Sequence, residues 1–179
     1  MGALRIEDLP HYTYKEYRAW EGKWELIDGI PYAMSPSPII EHQNISGDIH
    51  LELKKNLKEC RNCTQVLAVD WIVSDDTVVC PDNSVVFNAS DSMFIETVPK
   101  IIFEVLSPST KKIDRNRKYN LFQEYGVEYY ILVEPKGNFA EAYKLVNGFY
   151  VLEGEFTDEI YEFNIDKCNI KFNFNNIFE

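Results

Sequence analysis

Apolar and polar positions recur along this chain with two periods, and the points where the period changes divide it into elements. Thr13-Tyr14-Lys15-Glu16 has the Ser/Thr-x-x-Glu form of a capping box, in which each side chain satisfies a free amide at a helix start, so a short helix is predicted from Thr13 to Trp20. Trp24 to Ile27 meets Asp28-Gly29, a pair suited to the positive backbone angles of a two-residue hairpin turn, and Ile30 to Met34 returns. Ser35-Pro36-Ser37-Pro38 then breaks the pattern. From Ile39 to Lys58 the residues Ile45, Ile49, Leu53 and Leu57 recur every fourth position, one apolar stripe along an amphipathic helix, and His42 extends it by a turn.

Beyond Glu59 to Thr64 the period drops to two. Gln65 to Val73 and Thr77 to Phe87 read as two strands separated by Ser74-Asp75-Asp76, and Lys100 to Leu106 as a third. Asp114 to Tyr125 regains helical spacing and stops at Gly126, which suits a left-handed cap. Glu128 to Glu134 is an aromatic and β-branched strand closed by Pro135, and Phe139 to Val146 pairs with Phe149 to Leu152 around Asn147-Gly148. This order predicts an α/β fold in which a mixed central β-sheet is flanked by helices, with no internal repeat and no linker.

Composition narrows the class. The chain of 179 residues is 45% hydrophobic and 26% charged, which suits a globular domain and excludes collagen-like or disordered chains. No apolar run approaches the ~20 residues that span a bilayer, and Met1 to Pro10 has neither a basic start nor an apolar signal core, so no membrane association and a cytoplasmic location are expected. The net charge of −11 opposes nonspecific binding of polyanions, although a local basic stripe or a bound divalent cation can reverse the field at one site. Cys60 and Cys63 form one Cys-x-x-Cys pair, but no second pair or suitably spaced His completes a zinc site, so Cys60, Cys63, Cys80 and Cys168 read as reduced, structural thiols.

Two acids stand out against this background. The strand Lys100 to Leu106 is apolar at every position after its first except Glu104, as in a strand covered on both faces. A carboxylate there needs a cation, a hydrogen-bond donor or an escape to the strand end, and a structural partner such as Arg or Lys would serve as well as a functional one. Asp82 follows Pro81 and interrupts what otherwise reads as strand, which implies an edge, a bulge or a strand start. Two neighbouring strands joined by a loop would bring Asp82 and Glu104 to the same end of the sheet. Converging carboxylates repel unless a hard divalent cation lies between them, and such an ion polarises a phosphodiester and activates water. Lys118 aligns with Leu121, Phe122 and Tyr125 on the face that should meet the core. Its stem can lie over apolar neighbours while the ammonium reaches water, or the ammonium can point at Glu104 and offset charge developing on a phosphate.

Pro81-Asp82, Glu104-Val105-Leu106-Ser107-Pro108-Ser109-Thr110, Asp114, Lys118 and Gly126-Val127-Glu128-Tyr129-Tyr130 together resemble the Uma family of restriction-endonuclease-like proteins, within the PD-(D/E)XK nuclease superfamily. The likeness runs from Thr13-Tyr14-Lys15-Glu16-Tyr17 through Glu25-Leu26-Ile27-Asp28-Gly29, Ser35 to Pro38 and His42 to the hairpin ending near Leu152. It implies one restriction-endonuclease-like domain over residues 1–179, with an N-terminal helix and hairpin over 11–38, a core over 39–135 and a C-terminal hairpin over 136–155. It also implies that Asp82 and Glu104 coordinate Mg²⁺ or Mn²⁺, with the Val105 backbone as an extra ligand. The lysine of the superfamily's (D/E)-x-K motif would fall at Leu106, so the motif is broken in sequence, and the family pattern substitutes a lysine on the following helix, here Lys118. Glu25 matches a further family position and is expected to complete the acidic cluster, or else to be an exposed hairpin glutamate. His42 either lines the cleft or is a hydrogen-bonded histidine at a helix start. Asp114 reads as a helix cap and Asp70 as structural.

The expected function is a divalent-metal-dependent endonuclease that hydrolyses DNA phosphodiester bonds by metal-activated water. A catalytically inactive, nuclease-derived binding or assembly module is the alternative, favoured by Leu106 and the acidic charge. A phosphodiesterase acting on RNA or a small molecule is a third option, because basic residues cluster only at Lys111-Lys112 and Arg115 to Lys118. Nucleases that cut both strands are commonly two-fold dimers, so a homodimer is open, but no pattern locates its interface.

Overall fold

The computed structural model describes residues 9–34, 39–166 and 168–178. The Ser35 to Pro38 break therefore lies outside the described residues. A short helix α1 (Tyr14–Tyr17) carries the capping box formed by Thr13 and Glu16, and it ends a turn earlier than the sequence predicts. Strands β1 (Trp24–Ile27) and β2 (Ile30–Ala33) form the first hairpin, with positive φ at Asp28 and Gly29. Helix α2 (Ile40–Asn56) buries Ile45, Ile49 and Leu53 as the stripe requires.

The two long strands predicted over 65–87 are each broken in two. β3 (Cys63–Leu67) and β6 (Asn83–Phe87) pair in one sheet, while β4 (Trp71–Ser74) and β5 (Thr77–Val79) pair in another. The crease falls at Ala68 and at Pro81-Asp82: Ala68 takes a positive φ and its N–H donates to the Asp82 carbonyl at 3.0 Å. Pro81 has no N–H to give a ladder, which is why the strand can turn out of one sheet there and into the next.

The larger sheet has the order β10 (Phe149–Phe156), β9 (Phe139–Val146), β8 (Tyr129–Glu134), β7 (Ile101–Val105), β6 and β3, and the smaller the order β2-β1-β5-β4. β7 (Ile101–Val105) and β8 (Tyr129–Glu134) are parallel, joined by a crossover through α3 (Lys111–Ile113), a π-helical turn (Asp114–Lys118) and α4 (Tyr119–Tyr125). Gly126 closes α4 in the left-handed conformation. β9 (Phe139–Val146) and β10 (Phe149–Phe156) make the hairpin around Asn147-Gly148, and β10 continues past the predicted end at Leu152 after a bulge.

Period-two alternation along β7 divides the core. Ile101, Phe103 and Val105 pack with Ile45, Ile49 and Leu53 of α2, while Ile102 and Leu106 pack with Leu121 and Phe122 of α4 and with Trp71. Glu104, between Phe103 and Val105, therefore faces the crossover helix. A last hairpin, β11 (Ile160–Ile165) and β12 (Cys168–Asn173), closes over α2 with a 3₁₀ turn (Phe174–Ile177) and buries Phe163, Ile165, Ile170, Phe172, Phe174 and Ile177. Glu52 of α2 fastens this cap by accepting from Asn173 N and Asn176 Nδ2. Among the described residues no helix is long and apolar enough to cross a membrane.

The expectation of four reduced thiols is corrected. Cys60 and Cys168 are joined as a disulfide, which ties the α2–β3 corner to β12, whereas Cys63 and Cys80 are free.

Candidate active site

The register of β6 against β7 sets Asn83 opposite Phe103, and one further step places Asp82 opposite Glu104 at the crease. Each carboxylate then accepts from the other strand's backbone: Asp82 N donates to Glu104 Oε2 at 3.3 Å, and Val105 N donates to Asp82 Oδ2 at 2.8 Å. Asn83 latches α2 to this point, because its Nδ2 donates to the carbonyl and hydroxyl of Ser46. One turn before Ser46, His42 lies with Nε2 3.2 Å from Asp82 Oδ2.

From the other side comes Lys118, 3% exposed on the π-helical turn, with Nζ 2.8 Å from Glu104 Oε1 and 2.8 Å from Glu25 Oε1. Glu25 stands on β1 and is held in place by the Cys80 N–H, which donates to Oε1 at 2.8 Å. Asp114, at the start of the same turn, puts Oδ1 3.5 Å from the ammonium, where it makes no hydrogen bond. Asp82, Glu104, Lys118, Glu25, His42 and the Val105 backbone thus converge on one place.

Asp114 is the member that sequence reading set aside. It is 2% exposed, and its side chain caps no helix; Thr110 occupies the N-cap of α3. Its spacing of four from Lys118 was the available signal. Tyr125, expected to face the core with Lys118, is instead exposed, while Leu121 and Phe122 are buried. Asp70 accepts from the Tyr17 hydroxyl and joins α1 to the smaller sheet.

The electrostatics are those of a buried, anion-rich cluster. Burial pushes the Glu104 carboxyl well above the usual range; Lys118 pulls it back, and Asp114, Asp82 and Glu25 push it further up. Burial also raises Asp114. For Lys118 burial favours the neutral amine, but Glu104, Glu25 and Asp114 outweigh it and hold the proton firmly. Burial likewise opposes a charge on His42, and the hydrogen bond to Asp82, its charge and the Val105 carbonyl reverse that and raise its pKa. Burial and mutual repulsion thus favour the protonated form of Glu104 and Asp114, and a cation bound among the carboxyl groups would favour the ionised form instead. These oxygens are the hard donors that suit Mg²⁺ or Mn²⁺.

A protein of Synechocystis sp. strain PCC 6803 with no described function is 34% identical over 123 residues, covering 64% of this chain and 63% of its own length, so the match spans less than two thirds of that relative. The fold is that of a crystal structure described as a putative nuclease belonging to DUF820 from Anabaena variabilis, with a TM-score of 0.75 at 16% identity, covering 93% of this chain and 97% of that one. The sequence profile of the Uma2 family, described as "Putative restriction endonuclease", matches residues 14–161, a span that contains every residue of the acidic cluster. The chain belongs to the Uma2 family.

Proposed function

We propose that this protein is a divalent-metal-dependent nuclease that hydrolyses DNA phosphodiester bonds at the acidic cluster between β6, β7 and the π-helical turn. The observation that carries this reading is the single ammonium of Lys118 among Glu25, Glu104 and Asp114, with Asp82 beside them. Asp82 and Glu104, with the Val105 carbonyl, would hold Mg²⁺ or Mn²⁺. A bound ion supplies Lewis-acid polarisation of the phosphodiester and a lowered pKa for water.

The chain's own groups do the rest. Val105 N and His42 both bind Asp82 through Oδ2, which fixes the carboxylate plane. Lys118 holds Glu104 by Oε1 while Asp82 N holds Oε2, so the glutamate has little freedom to turn away. The Lys118 ammonium also offsets charge that develops on a phosphate, and takes the place of the motif lysine that Leu106 forfeits. Glu25, anchored by Cys80 N, adds an acid from the far side.

Asp82→Ala and Glu104→Ala should each abolish Mg²⁺-dependent cleavage of plasmid DNA while leaving the circular dichroism spectrum unchanged. The nuclease reading is wrong if purified wild type binds no divalent ion by calorimetry. A second reading, a binding or assembly module without catalysis, draws on the same structure: Lys111 pairs with Glu134 and Arg115 with Glu141, so part of the basic cluster is already neutralised. Mn²⁺ separates the two, because an ion bound only by the native state raises the melting temperature, and the module predicts no shift.

A further inference from the structure

A second cluster of ligating atoms is made of other residues than the acidic one. The sulfurs of Cys60, Cys63 and Cys168 lie within 4.8 Å of one another. Cys60 is buried after α2, where its N–H donates to the Leu57 carbonyl; Cys63 opens β3, with its N–H donating to the Cys60 carbonyl at 3.1 Å. This tight turn folds the Cys-x-x-Cys pair back on itself. Cys168 opens β12 and arrives from 108 residues away. A disulfide between Cys60 and Cys168 uses two of the three sulfurs and leaves the Cys63 thiol beside them without a role. One buried and two half-buried sulfurs from two chain segments are the soft donor set of a thiolate metal site. Tetrahedral Zn²⁺ with sulfur at ~2.3 Å sets its ligands about 3.8 Å apart, within the spread seen here.

We propose that in the reduced protein Cys60, Cys63 and Cys168 bind one thiophilic divalent metal ion, of which Zn²⁺ is the type, as a structural clamp between the α2–β3 corner and the C-terminal hairpin. The exchange balances as follows. A dithiol reductant gives two electrons and two protons to the Cys60–Cys168 bond and leaves as its own disulfide. The ion then displaces three thiol protons to solvent, and water takes the fourth position. Asp166, whose negative charge reaches Cys63, deepens the local field that attracts a cation, and Lys100, 3.7 Å from Asp166, tempers it. Metal and disulfide thus join the same two segments, and the redox state of the surroundings selects between them.

Anaerobic titration of dithiol-reduced protein with Co²⁺ tests this. In wild type the near-ultraviolet sulfur-to-cobalt charge transfer and the strong visible bands of a tetrahedral site should saturate at one Co²⁺ per chain; Zn²⁺ should bleach both. Glu104→Ala should keep these bands, which separates the thiolate site from the acidic one, and Cys63→Ser should lose about a third of the charge-transfer intensity and bind Co²⁺ at least tenfold more weakly. Absence of the bands in reduced wild type overturns the proposal, and so does a Cys63→Ser spectrum identical to wild type. The wild-type measurement stands alone should a variant fail to fold.

Discussion

Lys118 is the residue on which the acidic cluster depends. Its ammonium is the permanent cation facing Glu25, Glu104 and Asp114, and all four side chains are almost wholly out of water. Removing one partner of a buried ion pair leaves the others desolvated and unmatched, which typically costs about 3–5 kcal/mol. Lys118→Met keeps the length and apolar character of the stem while deleting the charge, so urea denaturation of the metal-free variant should show a loss of that size. A loss below ~1 kcal/mol would mean that the carboxyl groups do not rely on the ammonium. Sequence already exposed much of this group, for a physical reason: a charged residue inside an apolar strand or on a core-facing helix stripe contradicts its surroundings, as Glu104 and Lys118 do. Asp114 gave no such contradiction, because an aspartate at a helix start is ordinary.

At the scale of elements the same logic explains what was legible and what was not. The α2 stripe, both Asx-Gly hairpins and the buried strands β7 and β8 follow from local periodicity and were readable. The crease in β3–β6 was not, since alternation continues through a bend and only Pro81 marked the place. The hairpin β11–β12 carries its signal in the alternation of Tyr161, Phe163 and Ile165 and of Ile170, Phe172 and Phe174, yet the elements read from the sequence end at Leu152 and do not include it. The π-helical turn over Asp114–Lys118 is the least legible, because one extra residue per turn hardly alters the apolar stripe. Such turns cost hydrogen-bond quality and recur at functional sites, and here the widened turn brings both Asp114 and Lys118 inward. Deleting the exposed Asn116 should convert it to ordinary α-helix, set Asp114 three positions from Lys118 instead of four and turn the two side chains relative to each other by roughly 30°. The expected outcome is a folded protein that has lost Mg²⁺-dependent cleavage, read by circular dichroism alongside a plasmid assay. Retained cleavage would show that the turn's geometry is incidental.

For the molecule as a whole, charge sets the response to acid. The chain carries −11 at neutral pH, so protonation relieves self-repulsion while also removing carboxylates that hold the fold. Glu141 decides the sign for one such contact. Burial alone would raise its pKa, but the Arg115 guanidinium, bound through both nitrogens at 2.7 and 2.9 Å, and the Tyr143 hydroxyl at 2.8 Å hold it below the usual carboxylate range. A carboxyl whose folded pKa lies below its unfolded value, about 4.3 for glutamate, stabilises the native state above that value and ceases to do so as pH falls through the folded one. The pair joins the crossover turn to β9 and is partly open to water, so solvent screening limits it to about 0.5–1 kcal/mol. Glu141→Gln should therefore be less stable than wild type at pH 7 by roughly that amount. As the pH is lowered from about 4.3 through the acid range the two urea midpoints should approach each other, because wild type loses the charge that the variant never had. A gap that stays constant over the whole titration would show that the contact acts through packing and not through the ionised carboxylate.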